Sequence, residues 1–518
     1  VLVTAPGALL HGGSGTFNWI GNTDGATMNT TNIGNVPENA MVVMSGTGVF
    51  NVSGSSFRGY NATSNDWYST FRLNSPGTLN IIGDIFTSGS SSGAGINNRS
   101  TCTVNITGSV RGGTNTGNGL INASSGIINL RGDAIGGADR SGIVLNNGTL
   151  NMIGKVIKNT SGNGFPVNIA STATAYISTD VITTSQPVVI PNSGTLYLSG
   201  TVLGNWGPAT ITNTGTMYFN GLAWAFGVSN NARSIQNTGT LYFTGTALGG
   251  NGGGGRIGIV CSTPTLGTAY TYVTGVVQGG TVAGDTEGIL LEGSNHIVYI
   301  NGLCIGGATA SAVHNNSTNG ILYILDTAKG GTSGAFGGLR HTSGISYVKR
   351  VVGSDAGPLA PGSVSPGIIN SQNGQVYVEE VEFGAQGASP VSGPVFMLPR
   401  TNNLTIMNQG LPSFIPVTLF RSTNYPGLVP PASSVRLGTV YGNGDFTGTM
   451  VVPSPDSVQL GVAVDSTGTV GRAALSPITV WNFSRNASLS AGSIGERLRN
   501  AATTQAVGSI VASFNLSS

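Results

Sequence analysis

Charge is scarce in this chain of 518 residues. Lysine and arginine number 21, aspartate and glutamate 19, and together they make up 8% of the sequence, against about a quarter in an ordinary globular domain. The formal net charge of +2 leaves no broad basic footprint for nucleic acid and none for an anionic membrane surface. Cysteine is scarcer still. Cys102, Cys261 and Cys304 cannot close a disulfide framework and read as small buried apolar residues. No apolar run is long enough to span a bilayer, so membrane insertion is not expected. The opening VLVTAPGALL lacks the basic flank and length of a signal peptide. It starts on Val1 and not on a methionine, so this absence assigns no compartment. Helical periodicity is missing from residues 10–410.

Catalytic and cofactor motifs are missing too. There is no GxSxG, no P-loop and no HExxH. Gly249–Arg256, GGNGGGGR, is glycine-rich but lacks the Lys-Ser/Thr ending of a phosphate loop. His11, His296, His314 and His341 show no metal-ligand spacing. Neither a cofactor nor a metal is expected. β-Rich repeat folds do host polysaccharide lyases and hydrolases, so the carboxylates need testing as acid–base pairs. Asp84, Asp133 and Asp180 share one column, with Ser109 and Lys155 between them, and Asp favours turns. Glu379 and Glu380 precede Glu382 on one strand, where adjacent residues face opposite ways. Asp285, Glu287 and Glu292 fall on one return loop and the strand after it. All three groups read as turn and strand-end residues in preference to catalytic ones.

What the chain has in quantity is glycine, 83 residues, and a repeat. One column runs Asn18, Asn51, Asn80, Asn105, Asn129, Asn151, then Tyr176, Tyr197, Tyr218, Tyr242, Tyr272, Tyr299, Tyr323, Tyr347 and Tyr377. The mean spacing is about 26 residues, inside the range that marks solenoids and other arrays. Each column residue sits between two mostly apolar ones, such as Leu196 and Leu198 or Leu241 and Phe243. Strand alternation puts those flanks on one face and the Asn or Tyr on the other. The flanks must face the core, because burying a Leu or Phe side chain contributes about 1.5–3 kcal/mol.

Each unit holds a short strand, an Asn/Gly/Thr turn, a second strand, a glycine, a third short strand and a glycine-rich return. Three strands per coil with no helix between them predict an all-β fold, a right-handed parallel β-helix of about 15 coils. It occupies residues 16–410, with residues 1–15 as an N-terminal cap over its open edge. A β-propeller would need about forty residues per blade.

Beyond the ladder, proline becomes frequent and a second repeat begins. Val429–Gly438, VPPASSVRLG, is echoed by Val452–Gly461, VPSPDSVQLG. Residues 411–475 therefore read as a Pro-rich β module. Ser476-Pro477 and the capping box Ser493–Glu496 predict short helices in residues 476–518, an attachment or oligomerisation tail. Arg472, Arg485, Arg497 and Arg499 make this the most basic stretch and a candidate docking surface; a solvated helical face is the alternative.

The string VPPASSVRLGTVYGNGDFTGTMVVPSPDSVQLGVAVDSTGTVGRAAL and the later GSIGERLRNA resemble the C-terminal tail of tailed-phage virion appendage proteins. The resemblance covers roughly residues 429–510. The array resembles the β-helical shafts of phage fibres, tailspikes and capsid-decorating proteins in architecture alone. These resemblances imply a structural or receptor-binding protein on the virion surface, with capsid or tail proteins as partners. They also imply self-association, often as a trimer, and a host-surface glycan as a target. The chain is accordingly expected to be a structural virion protein and not an enzyme. A bacterial surface adhesin or filament subunit is the first alternative, a tailspike depolymerase the second.

The nine tyrosines are the candidate interface stripe. Two readings stay open. Outward residues can stack on their own kind and stabilise the sheet. A contiguous exposed stripe can instead mark a contact with another subunit, the particle or a glycan.

Overall fold

The computed structural model describes residues 15–382, apart from 21–22, 25–39, 45, 59–68, 88–93, 114–116, 138–139, 159–163, 179, 183–189, 205–208, 227–231, 252–255, 265–266, 282–285, 333–336, 355–366 and 371–374. It adds the backbone of residues 9–11, 391–392, 396–397, 440–441 and 446–447.

The described elements are all strands, and all but the last two belong to one continuous system of parallel pairings. The chain is a parallel β-helix. A representative coil runs from Ala209–Asn213 through a tight turn into Thr216–Ala225 and returns to Arg233–Asn237. Each strand bonds to its equivalents in the coils before and after it. Ile190, Ile211, Ile235 and Ile259 form one register line, and Tyr197, Tyr218 and Tyr242 another.

Among the described residues the ladder contains sixteen rungs, where about fifteen coils are expected. The extra one is Phe396, which lies in register with Tyr377. The sequence period ends at Tyr377 because that rung carries neither Asn nor Tyr. The first rung, Asn18, pairs with Asn51. Sixteen rungs at a coil rise of about 4.8 Å span about 70 Å.

Inside the coils the flanking residues form the core. Leu196, Leu198, Met217, Phe219, Leu241 and Phe243 are all buried, as alternation on these strands requires. Cys102, Cys261 and Cys304 are free thiols in the same core. Burial pushes the Cys102 and Cys261 thiols up to about 12 and the Cys304 thiol higher still. They pack as apolar residues.

In most coils a glycine three residues after the column residue lets the chain turn the corner; Asp326, Arg350 and Glu380 take its place in the coils of Tyr323, Tyr347 and Tyr377. Gly200, Gly221, Gly245 and Gly275 have φ of 131°, 150°, 136° and 128°, a region L side chains rarely adopt. Space excludes a side chain as well, since a Cβ on Gly221 would run into the carbonyl oxygen of Gly200 one coil below. Where glycines follow one another, as from Gly200 to Gly275, the coils stack at strand spacing because the corner carries no side chains.

A second compact unit comprises Pro431–Thr439 and Thr447–Ser518. Of the C-terminal expectations, the short helices and the arginines Arg472, Arg485, Arg497 and Arg499 lie outside the described residues, as do most of residues 411–475 and of the cap at 1–15.

Candidate functional site

The column on the outer face of the ladder sheet is built in two chemically distinct lengths. In the first, each asparagine amide donates to the side-chain oxygen of the asparagine one coil below. The bonds Asn51→Asn18, Asn80→Asn51, Asn105→Asn80, Asn129→Asn105 and Asn151→Asn129 are each 2.7 Å. Every rung satisfies the next in the same direction.

At Tyr176, in register with Asn151, hydrogen bonding gives way to ring stacking. From Tyr176 to Tyr377 the centroids of successive tyrosines are 4.6–5.1 Å apart and their planes lie within 14° of parallel. That spacing is the strand repeat itself. The backbone pitch thus sets the spacing of the stacked rings.

Stacking changes what the stripe presents. The sequence suggests nine exposed tyrosines; in the structure eight are half-buried and Tyr272 is 6% exposed. Each interior ring has both faces covered by its neighbours, so only edges and hydroxyls face outward. Among the described residues, Ile82 and Ile127 are the large apolar side chains left exposed, and neither belongs to this column. The stripe is therefore no exposed apolar patch.

Hydroxyl and amide side chains border it. Thr195, Thr216 and Thr240 run along one side, and Ser199, Asn220 and Thr244 along the other. Over these coils the face is uncharged, flat and repeats every strand. Burial raises the phenol pKa values of Tyr176, Tyr197, Tyr242, Tyr299, Tyr323 and Tyr347, and Tyr272 is pushed up to about 12 by burial first, then by Tyr242, Tyr299 and Tyr270.

A second ladder lies inside the coils at the end of the first strand. Asn98 and Asn122, then Asn192, Asn213 and Asn237, occupy one register line and are fully or almost fully buried. Asn192 donates to Asn213 and Asn213 to Asn237, both at 2.7 Å. Asn213 also reaches the carbonyls of Gly215 and Thr240, which closes the turn in two successive coils. The strings Asn192-Ser-Gly-Thr, Asn213-Thr-Gly-Thr and Asn237-Thr-Gly-Thr carry the signal. Sequence reading places them in a turn and misses that the amides point inward.

Farther along, the same line changes to Cys261, Leu291, Asn315 and His341, and histidine takes over part of the polar work. Asn237 donates to the Thr271 hydroxyl at 2.8 Å, and Thr271 meets His296 Nε2 at 2.9 Å. His296 Nδ1 lies 3.2 Å from the Ser262 carbonyl. A carbonyl only accepts, so Nδ1 carries the proton and Nε2 accepts from Thr271. Burial lowers His296 to about 4, partly opposed by the Ser262 carbonyl. His341 is lowered to about 4 as well, by burial first and by His314 in addition. Both are neutral imidazoles serving the core.

The carboxylates also have structural partners. Asp84 accepts from the backbone N–H of Ser109, Asp133 from Lys155 and Asp180 from Thr201, at 2.8–3.1 Å. The aspartate column thus caps the corner of the next coil, as a turn ladder should. Glu382 takes a forked pair of bonds from Arg350 at 2.6–2.9 Å. Glu379 is buried and Glu380 half-buried on opposite faces. Glu292 accepts from Ser262 and lies 3.8 Å from Arg233. Glu287 lies 3.6 Å from His314 Nδ1; Asp285 is outside the described residues. Among the described residues no group of three His, Cys, Asp or Glu could hold a metal ion, and no helix is long and apolar enough to cross a membrane. Comparison with family models, with curated proteins and with solved structures finds no match for this chain.

Proposed function

We propose that this protein is a structural appendage of a tailed-phage particle: a rigid β-helical rod, joined to the virion through its C-terminal module and displayed on the outside. The observation that carries this reading is the unbroken outer column, in which each Asn bonds and each Tyr stacks onto its neighbour over consecutive coils. Such a column stiffens a rod along its full length, and a local binding cleft would not need it. The C-terminal likeness supplies the phage assignment. Engagement of the candidate carboxylates in turn caps and ion pairs favours display over depolymerase chemistry.

Within that role the tyrosine face is a seam to a second copy of the chain. Sugar rings stack on aromatic faces, and here the interior faces are occupied. What remains is a row of phenol edges and hydroxyls at strand pitch, and a second β-helix presents the same repeat. Peptide mass spectrometry on gradient-purified particles tests the assignment. The chain is expected at a constant ratio to the major capsid protein across the particle peak. Its absence from infectious particles would overturn the reading.

A further inference from the structure

Unpartnered buried polar atoms are not spread evenly along the rod. Among the described residues they gather at one corner, where three successive coils enter the first strand. Arg256 lies in the first coil, Thr286 and Glu287 in the second, and Ser311 in the third. Arg256 is 0% exposed and its Nε, Nη1 and Nη2 have no hydrogen-bond partner there; neither do Thr286 Oγ1, Glu287 Oε2 or Ser311 Oγ. Elsewhere among the described residues such atoms are single, at Ser69, Thr87, Asn192, Thr274 and His341.

Arg256 and Thr286 hold equivalent places in their coils. Gly280 donates its N–H to the Arg256 carbonyl, and one coil on Gly307 donates to that of Thr286. The Arg256 side chain packs over Gly280 and the Thr286 hydroxyl over Gly307. The next equivalent residue is Ala310, whose carbonyl accepts from Gly331. The column therefore tapers from Arg to Thr to Ala, with a cation at its wide end. Glu287 makes no bond to the guanidinium: its Oε1 lies 3.6 Å from His314 Nδ1 and its Oε2 has no partner. Burial acts against the charge of this arginine. A guanidinium shut away from water without a counter-charge is strongly disfavoured, and its planar fork suits an oxyanion.

We propose that this corner is a built site for one small free oxyanion, phosphate or sulfate, held by the Arg256 guanidinium with the Thr286 hydroxyl as a further donor. The anion ties neighbouring coils together where the backbone corner is glycine-rich. Enclosure favours the free ion over an ester on a sugar, which would need an open path.

The test uses the full chain, exhaustively dialysed into chloride buffer. Anion chromatography of the denatured sample measures phosphate and sulfate carried through purification, and thermal melts follow readdition of each ion. A stoichiometric amount of one ion is expected on release, or else a saturable rise in melting temperature of ~2–4 °C on readdition. Glucose 6-sulfate and glucose 6-phosphate, added at the same concentrations, should give no rise; a rise with these esters alone would overturn the free-ion assignment. Arg256→Met should abolish both signals. Arg256→Lys, which keeps the charge but loses the fork, should need about tenfold more anion, and covers the case in which the methionine variant does not fold. Neither bound anion nor a saturable shift in the wild type would overturn the proposal. So would an Asp285→Asn variant that gains an anion response absent from the wild type, because the counter-charge would then belong to the chain.

Discussion

Replacing Tyr242 with serine should cost about twice as much as replacing Tyr176, and the structure gives the reason. Tyr242 lies between Tyr218 and Tyr272, with centroids at 4.7 and 4.9 Å and planes within 6° of parallel. Tyr176 ends the stack and has one tyrosine neighbour, Tyr197, at 4.6 Å; its other side meets the Asn151 rung. A stacked aromatic pair is worth about 0.5–1.5 kcal/mol beyond the area it buries. The interior substitution should therefore lose about 1–3 kcal/mol from stacking and the end substitution about half of that, with similar burial losses in each. A solenoid need not unfold in one step, so a single melting midpoint would blur the comparison. Hydrogen exchange resolves it: amide protection in Thr216–Ala225, Thr240–Leu248 and Ala269–Gln278 should fall together in the Tyr242 variant. In the Tyr176 variant the loss should centre on Val167–Ser178 and Thr195–Gly204 and be smaller. Equal losses at the two sites would refute the stacking account, as would no change at either.

Other substitutions probe the corner, the inner ladder and the core histidines. Gly221→Ala should prevent soluble folding, since its Cβ meets the Gly200 carbonyl oxygen, whereas Gly267→Ala, at φ 69° with open space around it, should fold and show only backbone strain of about 1 kcal/mol; circular dichroism of the soluble fractions separates the two. Asn213→Ala leaves buried turn carbonyls without their amide and should cost about 1–3 kcal/mol, while Asn105→Ala on the half-buried outer ladder should cost less, about 0.5–1.5 kcal/mol; urea denaturation at neutral pH compares them. His296 is held near 4 in the fold against 6.5 in the unfolded chain, so the unfolded state binds more protons between those values. Stability is therefore complete above pH 6.5 and falls as pH drops toward 4, by up to about 3 kcal/mol. Urea midpoints at pH 7.5 and 5.0 should differ less in His296→Gln than in the wild type, and an unchanged difference would contradict the assignment.

Much of this architecture is legible without coordinates because β-helix coils repeat both sequence and register. The outer column fixes the period, its flanks fix the core face, and the glycine that follows most column residues fixes the corner. Phe396 escapes because the final rung changes residue type while its place in the coil stays the same. The inner asparagines escape for a different reason: Asn before Gly-Thr reads as a turn residue, and sequence does not show whether its amide faces solvent or core. Exposure of the tyrosines is overestimated because alternation reports which way a side chain points and not what covers its faces. Those covers come from residues 21–30 positions away, at a spacing the strand pitch alone sets. Arg256 reads as part of a glycine-rich return, and only three-dimensional burial reveals an isolated charge.

Cryo-electron microscopy of the parent particle tests the central claim most directly. The account predicts projecting rods of stacked coils at strand pitch, attached at one end, with the Tyr176–Tyr377 face enclosed between copies of the chain. Particles that lack such rods, or rods whose tyrosine face is turned to solvent along its whole length, would contradict it.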